Sequence, residues 1–289
     1  MLRFTAGLSE WWSRAGLEYP SVWIFALVAV FMLGSCLGSF LNVCIWRLPL
    51  GESIVTGPSH CTKCGNEIRW YDNIPIVSYI VLRGRCRFCH QHYSCRYLVV
   101  EALTGLLFVL AFLKVGLTGQ PVGTVLSFWA MILLAVAASW IDVQHRLIPD
   151  ALTVPAMIFG IVSAAAVPSI WGIANHWQAP VYSLISGLIP ALFLAVFAIV
   201  GKKVAKKEVL GWGDVTLTAA IGMLLGLPAA FFSICAGSII GTFYGIGIAI
   251  TTKRPIANIT LAFGPFLAGC ALIWLFVGEK ILRLFIIAD

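Results

Sequence analysis

Charge is what this sequence has least of. Asp, Glu, Lys and Arg make up only 11% of its 289 residues, while 60% are apolar and the mean hydropathy is +0.96. A soluble globular domain of ordinary composition carries about 25% charged residues, so that class is excluded and the chain is placed in a bilayer. Internal repeats and low-complexity tracts are also missing. Residues 1–20 do not read as a cleavable signal peptide, because Glu10, Glu18 and the Trp11-Trp12 pair precede the first long apolar run. That run itself is expected to direct insertion.

What the sequence has in place of charge is length of apolar run. Crossing about 30 Å of hydrocarbon takes roughly 20 apolar residues per helix. Eight stretches qualify: Val22 to Trp46, Leu98 to Leu117, Val122 to Ile141, Ala151 to Ile170, Val181 to Gly201, Val215 to Leu225, Pro228 to Ile250 and Ile259 to Phe276. The sixth is short, and Gly226-Leu227-Pro228 leaves only a tight turn before the seventh. The expected fold class is an all-α polytopic membrane protein of about eight transmembrane helices, with a small cytoplasmic zinc-binding loop subdomain. The expected divisions are a periplasmic segment 1–21, a first transmembrane helix 22–46, a cytoplasmic loop region 47–97 and a transmembrane domain 98–289.

Orientation follows from the basic residues, which short loops retain on the cytoplasmic side. With the N-terminus outside, the inside segments hold Arg47, Lys63, Arg69, Arg83, Arg85, Arg87, Arg96, Arg146, Lys202, Lys203, Lys206, Lys207, Lys253 and Arg254, or 14 of the 19 basic residues. Arg3, Arg14, Lys114, Lys280 and Arg283 remain outside. Both termini are then periplasmic. The net charge of +7 is an orientation signal and not evidence of nucleic-acid binding, and Lys202, Lys203, Lys206 and Lys207 suit contact with anionic lipid.

Cys61-Thr-Lys-Cys64 and Cys86-Arg-Phe-Cys89, with 21 residues between the pairs, can present four thiolates to one tetrahedral Zn²⁺. On the cytoplasmic side thiols stay reduced, which favours a metal over two disulfides. The zinc is expected to be structural, closing a subdomain too small to build a core of its own. Thiol exchange is the competing use of a CxxC pair.

Carboxylates are costly in hydrocarbon, so the few near the spans mark the chemistry. They are Glu101, Asp142, Asp150 and Asp214. Asp142 ends a span that runs inward and Asp214 begins one that runs outward, so both belong at the same cytoplasmic depth. Two like charges a few Å apart cannot both ionise readily, and a pair sharing one proton supplies an acid and a base. That is aspartic-protease chemistry, in which one carboxylate activates water and the protonated partner polarises the scissile carbonyl. In Gly211-Trp212-Gly213-Asp214, Gly211 and Gly213 let the chain turn sharply and approach a substrate. Asp150, after Pro149, reads as an N-cap, and Glu101 as an interfacial residue or a partner for Arg96 or Arg47.

Five ordered motifs now resemble the bacterial prepilin peptidases over nearly the whole chain. They are Gly38-Ser-Phe-Leu-Asn42-Val-Cys-Ile-Trp-Arg47-Leu-Pro49, the CxxC loop with Asn73-Ile-Pro75 and Arg83-Gly84-Arg85, Asp142 with Ile148-Pro149-Asp150, the GxGD string at Asp214, and Phe263-Gly264-Pro265-Phe266. Three positions depart from the family: Leu98 follows Arg96-Tyr97 where a proline is usual, Thr216 stands in place of a lysine, and Ala262 in place of a proline. Neither aspartate is touched.

The resemblance implies an inner-membrane enzyme acting on type IV prepilins or type II secretion pseudopilins. It implies removal of a short basic leader after a glycine on the cytoplasmic side, then N-methylation of the new terminal residue from S-adenosylmethionine. Catalysis would fall to Asp142 and Asp214, with Gly211, Gly213 and Pro265 in support. The zinc loop with Gly84, Arg85 and Glu101 would serve methyl transfer. That half rests on resemblance alone, since no dinucleotide-type glycine fingerprint stands in a βαβ setting. From the residues alone, a transporter using intramembrane acids and a membrane thiol oxidoreductase remain alternatives.

Overall fold

A computed structural model describes residues 20–286 apart from Thr56, Pro58, 207–208, 254 and 256–259. Most of the expected segment 1–21, with Arg3 and Arg14, and also Lys207 and Arg254, lie outside the described residues. The chain is an all-α polytopic membrane protein: the described residues form helices and no strand, and six helices are long and apolar enough to cross a membrane. Two shorter apolar helices, Asp150–Ala166 and Trp212–Leu225, bring the total to about eight. Large apolar side chains such as Phe25, Leu192 and Phe243 stand exposed on the long helices, as lipid-facing residues do. The chain divides into two compact units, Met1–Gln120 and Pro121–Asp289.

In the first unit, α1 (Pro20–Arg47) packs against α3 (Arg96–Thr118), and a short α2 (Val77–Val81) lies in the segment between them. The seam is made of small residues. A Cβ on Gly34 would stand 2.8 Å from the Gly105 Cα, and one on Gly38 would stand 2.9 Å from the Glu101 Cα. Backbones that approach this closely gain the dispersion contact that holds helices together in lipid, where burial of apolar surface supplies no drive. Residues 48–95 carry 3₁₀ turns at Leu48–Leu50 and Trp70–Asn73 and the two cysteine turns.

The second unit holds α4 (Thr124–His145), α5 (Asp150–Ala166), α6 (Gln178–Ala205), α7 (Trp212–Leu225), α8 (Leu227–Thr252) and α9 (Gly264–Ile286). Ten of the 14 residues of α7 are buried, so this helix forms the centre against which the other five pack. At 1.5 Å per residue it is about 21 Å long, shorter than a bilayer core. Glycine seams bring its neighbours in: a Cβ on Gly222 would overlap the Ser186 carbonyl, and one on Gly160 would meet the Met223 carbonyl at 2.8 Å. Gly226 alone separates α7 from α8, with φ +96° and ψ 166°, a conformation that only glycine adopts without strain.

Two expected boundaries move. The fourth span ends at Ala166 and not at Ile170, because Pro168 restrains Val167 to φ −134° and ψ 71° and ends the helix there. The last span begins at Gly264 and not at residue 259. Pro265 fits its first turn, where a missing N–H is tolerated, and residues 260–263 precede the helix.

Candidate functional site

In the second unit two carboxyl groups come together from opposite helix ends. Asp142 lies in the last turn of α4, which closes with Arg146 in the left-handed region (φ +55°) and its N–H bonded to the Asp142 carbonyl at 2.8 Å. Asp214 occupies the first turn of α7, after Gly211 has entered it in an extended conformation (φ −76°, ψ 147°). Both are buried, 6% and 8% exposed, and the Asp142 charge reaches Asp214 electrostatically. The Asp214 Oδ2 folds back to within 3.5 Å of where a Cβ on Gly211 would stand.

A third element completes the arrangement. The Gly264 N–H, at the start of α9, donates to Asp142 Oδ2 at 2.8 Å. A Cβ on Gly264 would stand 2.8 Å from that oxygen and 2.9 Å from Ile148 Cδ1. A Cβ on Gly213 would stand 2.8 Å from Ile148 Cβ and 3.1 Å from its backbone nitrogen. Ile148, buried at 8% exposure, is therefore wedged between the glycine that precedes Asp214 and the glycine that binds Asp142. Sequence reasoning did not single out Ile148 or Gly264 as site residues; the only signal was their presence inside the Ile148-Pro149-Asp150 and Phe263-Gly264-Pro265-Phe266 strings. Pro265 lies in the first turn of α9, next to Gly264.

The neighbouring acids separate. Asp150 is not the N-cap of its helix: Pro149 holds that position in an extended conformation, and Asp150 is the first helical residue, with no side-chain cap bond. There it is exposed, where its charge complements the helix dipole. Arg146 acts on Asp142 electrostatically but directs its Nη1 to the Thr260 hydroxyl. Glu101, 7% exposed on α3 in the first unit, accepts the Ile76 N–H at 2.8 Å.

The four cysteines of the first unit converge. Their sulfurs all lie within 4.8 Å of one another, with Cys61 to Cys89 at 3.9 Å and Cys64 to Cys86 at 4.0 Å. A tetrahedron with Zn–S near 2.3 Å has edges of about 3.8 Å, so the set fits a zinc ion. The two turns repeat one design. The Cys61 and Cys86 N–H groups bond to the Asn66 and Gln91 carbonyls, and the Gly65 and His90 N–H groups bond back to the Cys61 and Cys86 carbonyls. Gly65 (φ +72°) and His90 (φ +54°) hold equivalent left-handed positions.

The thiols differ in acidity. Burial opposes ionisation of Cys61, but the Cys64 and Lys63 N–H groups outweigh it and bring that thiol down to about 7. The Gln91 N–H favours the Cys89 thiolate, but desolvation and the neighbouring sulfurs outweigh it and push Cys89 up to about 11. Four thiolates at this spacing need a cation among them. Arg87, inside the second turn, holds Asp72 with Nε donating to Oδ2 at 2.8 Å, and this hydrogen bond keeps the Asp72 carboxyl below its usual range.

Comparison with known proteins agrees with both units. A family model described as Bacterial Peptidase A24 N-terminal domain matches residues 32–115, and one described as Type IV leader peptidase family matches residues 129–246. The chain is 38% identical over 227 residues to the prepilin leader peptidase/N-methyltransferase of Myxococcus xanthus strain DK1622, covering 78% of this chain but 64% of that protein, just under two thirds. It is 32% identical over 291 residues to the prepilin leader peptidase/N-methyltransferase of Pseudomonas aeruginosa PAO1, covering 90% of this chain and 93% of the relative. It is 36% identical over 265 residues to the type 4 prepilin-like proteins leader peptide-processing enzyme of Escherichia coli O78:H11, covering 84% and 91%. No solved structure matches significantly.

Proposed function

The chain belongs to the type IV leader peptidase family, and from that premise we propose that it is an inner-membrane aspartyl endopeptidase and N-methyltransferase of type IV prepilin processing. Its substrates are prepilins or type II secretion pseudopilins, cut after a glycine at the cytoplasmic face. The observation that carries the reading is the pair itself: Asp142 and Asp214 are buried, in electrostatic reach and borne on separate helix ends.

One carboxyl of the pair holds the shared proton and the other is ionised. The ionised group takes a proton from water as it attacks the scissile carbonyl, while the protonated group polarises that carbonyl. The Gly264 N–H orients Asp142, and the Gly211-Trp212-Gly213 turn brings backbone beside Asp214. No covalent intermediate forms. The charge bias of the loops supports termini on the periplasmic side, with the loop region 47–97 and both aspartates at the cytoplasmic side.

Cys61, Cys64, Cys86 and Cys89 would hold Zn²⁺, which closes a loop that has no core of its own. S-adenosylmethionine would supply the methyl group for the new N-terminal amine, and Gly84, Arg85 and Glu101 belong to the region that serves this transfer. Purified protein incubated with a prepilin tests the reading: Asp142→Asn and Asp214→Asn should each abolish cleavage, and retained cleavage in either variant refutes the pair.

A further inference from the structure

The short helix α2, five residues long, carries its apolar side outward. Val77, Ile80 and Val81 fall at the i, i+3, i+4 spacing of one helical face, and all three are exposed, Ile80 at 64% and Val81 at 68%. The opposite face buries a serine. Ser78 donates its hydroxyl to the Tyr71 carbonyl at 3.1 Å and accepts the Ile74 N–H at 3.0 Å. A helix standing in water shows the reverse order, polar side out and apolar side in. Trp70, which opens the 3₁₀ turn before α2, is 81% exposed. Apolar side chains gathered on one outer face mark a contact surface.

Glu101 fixes the depth of that surface. The Ile76 N–H, at the start of α2, reaches Glu101 Oε2 at 2.8 Å. α3 begins at Arg96, and at 1.5 Å per residue Glu101 lies about 7.5 Å along it. Val99 and Leu103 beside it in sequence are exposed apolar residues of a helix long enough to span, so this stretch of α3 already faces lipid. A depth of roughly 5–10 Å is where an interfacial helix rests its apolar face. The backbone bends sharply to enter α2 there: Ile76 has φ +64° and ψ −51°, and the Val77 N–H closes on the Pro75 carbonyl at 2.6 Å, the less favourable form of γ-turn. A β-branched residue disfavours that conformation, and the bond to Glu101 helps to hold it.

We propose that α2 is an interfacial anchor, with Val77, Ile80 and Val81 resting among the upper acyl chains of the phospholipid leaflet around the start of α3. Trp70 sits at headgroup level, and Arg83, exposed just after the helix, extends to lipid phosphate. The second cysteine turn, which follows within a few residues, is thereby held against the membrane surface. Because α2 leaves α3 at a depth where α3 itself faces lipid, phospholipid is its occupant and not a second copy of the chain. The proposal rests on α1 and α3 crossing the bilayer and on neither enzymatic activity.

The photoreactive residue p-benzoylphenylalanine is placed at Ile80, and separately at Val99 as the lipid-facing reference. Protein in vesicles of phosphatidylethanolamine and phosphatidylglycerol is irradiated, digested with trypsin and weighed. A phospholipid adduct is expected on the peptide 70–83, as on the peptide that carries position 99. An adduct at position 99 with none on 70–83 overturns the proposal, and so does a link from position 80 to a second copy of the chain. In nanodiscs of the same lipids, Ile80→Glu should speed tryptic cleavage after Arg83 about tenfold, the scale set by releasing one buried apolar side chain. Ile80→Phe should leave the rate unchanged, both variants being compared as monodisperse protein. A side chain this exposed tolerates Glu in water, so equal rates for Ile80→Glu and wild type overturn the proposal.

Discussion

Gly264 gives its backbone N–H to Asp142 Oδ2 at 2.8 Å and leaves no room for a side chain at that point. A methyl group there would stand 2.8 Å from the oxygen it should hold. Gly264→Ala is therefore expected to lower kcat for leader cleavage about 100-fold, the scale of effect that a displacement near 1 Å produces. The melting temperature should fall as well, because the methyl also meets Ile148 Cδ1 at 2.9 Å, so activity is compared at a temperature where both proteins are folded. Cleavage at wild-type rate would show that Asp142 does not depend on this contact.

Ile148 should couple the two aspartates measurably. Ile148→Ala removes a buried side chain and is expected to cost about 2–5 kcal/mol in thermal or denaturant unfolding. Gly213→Ala alone crowds Ile148 and should also reduce cleavage. The Gly213 methyl would stand 2.8 Å from Ile148 Cβ and 3.1 Å from its nitrogen, atoms that Ile148→Ala keeps, so the double variant should cleave no better than Gly213→Ala; recovery there would argue against the contact.

Zinc loading should depend steeply on pH. The Cys64 and Lys63 N–H groups bring Cys61 down to about 7 while desolvation and the neighbouring sulfurs push Cys89 up to about 11, so below pH 7 each bound ion displaces more than one proton from the set. The apparent affinity should rise more than tenfold per pH unit between pH 5.5 and 7.5, measured by competition with a chromophoric chelator. A flat profile would exclude thiolate ligation. Cys61→Ser and Cys86→Ser should each lose the metal.

Asp72 supports the second cysteine turn through Arg87. Its carboxyl is held below its usual range in the folded protein, so its contribution is complete above the unfolded carboxyl value near about 4 and is lost as pH falls through the lower folded value. Neutral pH is thus where the pair counts. Asp72→Asn should release zinc to a chelator several-fold faster at pH 7, and an unchanged release rate would show that the turn stands without it.

His90 is the weak copy of Gly65. A left-handed conformation costs a side chain about 1–2 kcal/mol, which glycine avoids. His90→Gly should therefore raise the chelator resistance or melting temperature of the zinc-loaded protein, and a decrease would mean that the imidazole has a use of its own.

Much of the architecture was legible because hydrocarbon is an unforgiving solvent. Apolar runs had to be helices, and ionisable residues near them had to be few, so Asp142 and Asp214 stood out although 72 residues separate them. The convergence of the four cysteines was legible from spacing alone. What stayed hidden depends on packing between distant segments. Nothing local assigns the Gly264 N–H to Asp142 across 122 residues, or the Ile76 N–H to Glu101 across 25. The cap at Asp150 was misread for a different reason: Pro149 already has the extended backbone a cap requires, which moves the acid one place into the helix.

Ile148 lies against Gly213 and Gly264 at once, so the surroundings of the two aspartates share one packed neighbour. Whatever shifts the link between α4 and α5 disturbs the backbone under Asp214 and the contact around Asp142 in the same movement. The neighbour they share is a hydrocarbon side chain, with no ionisable group of its own.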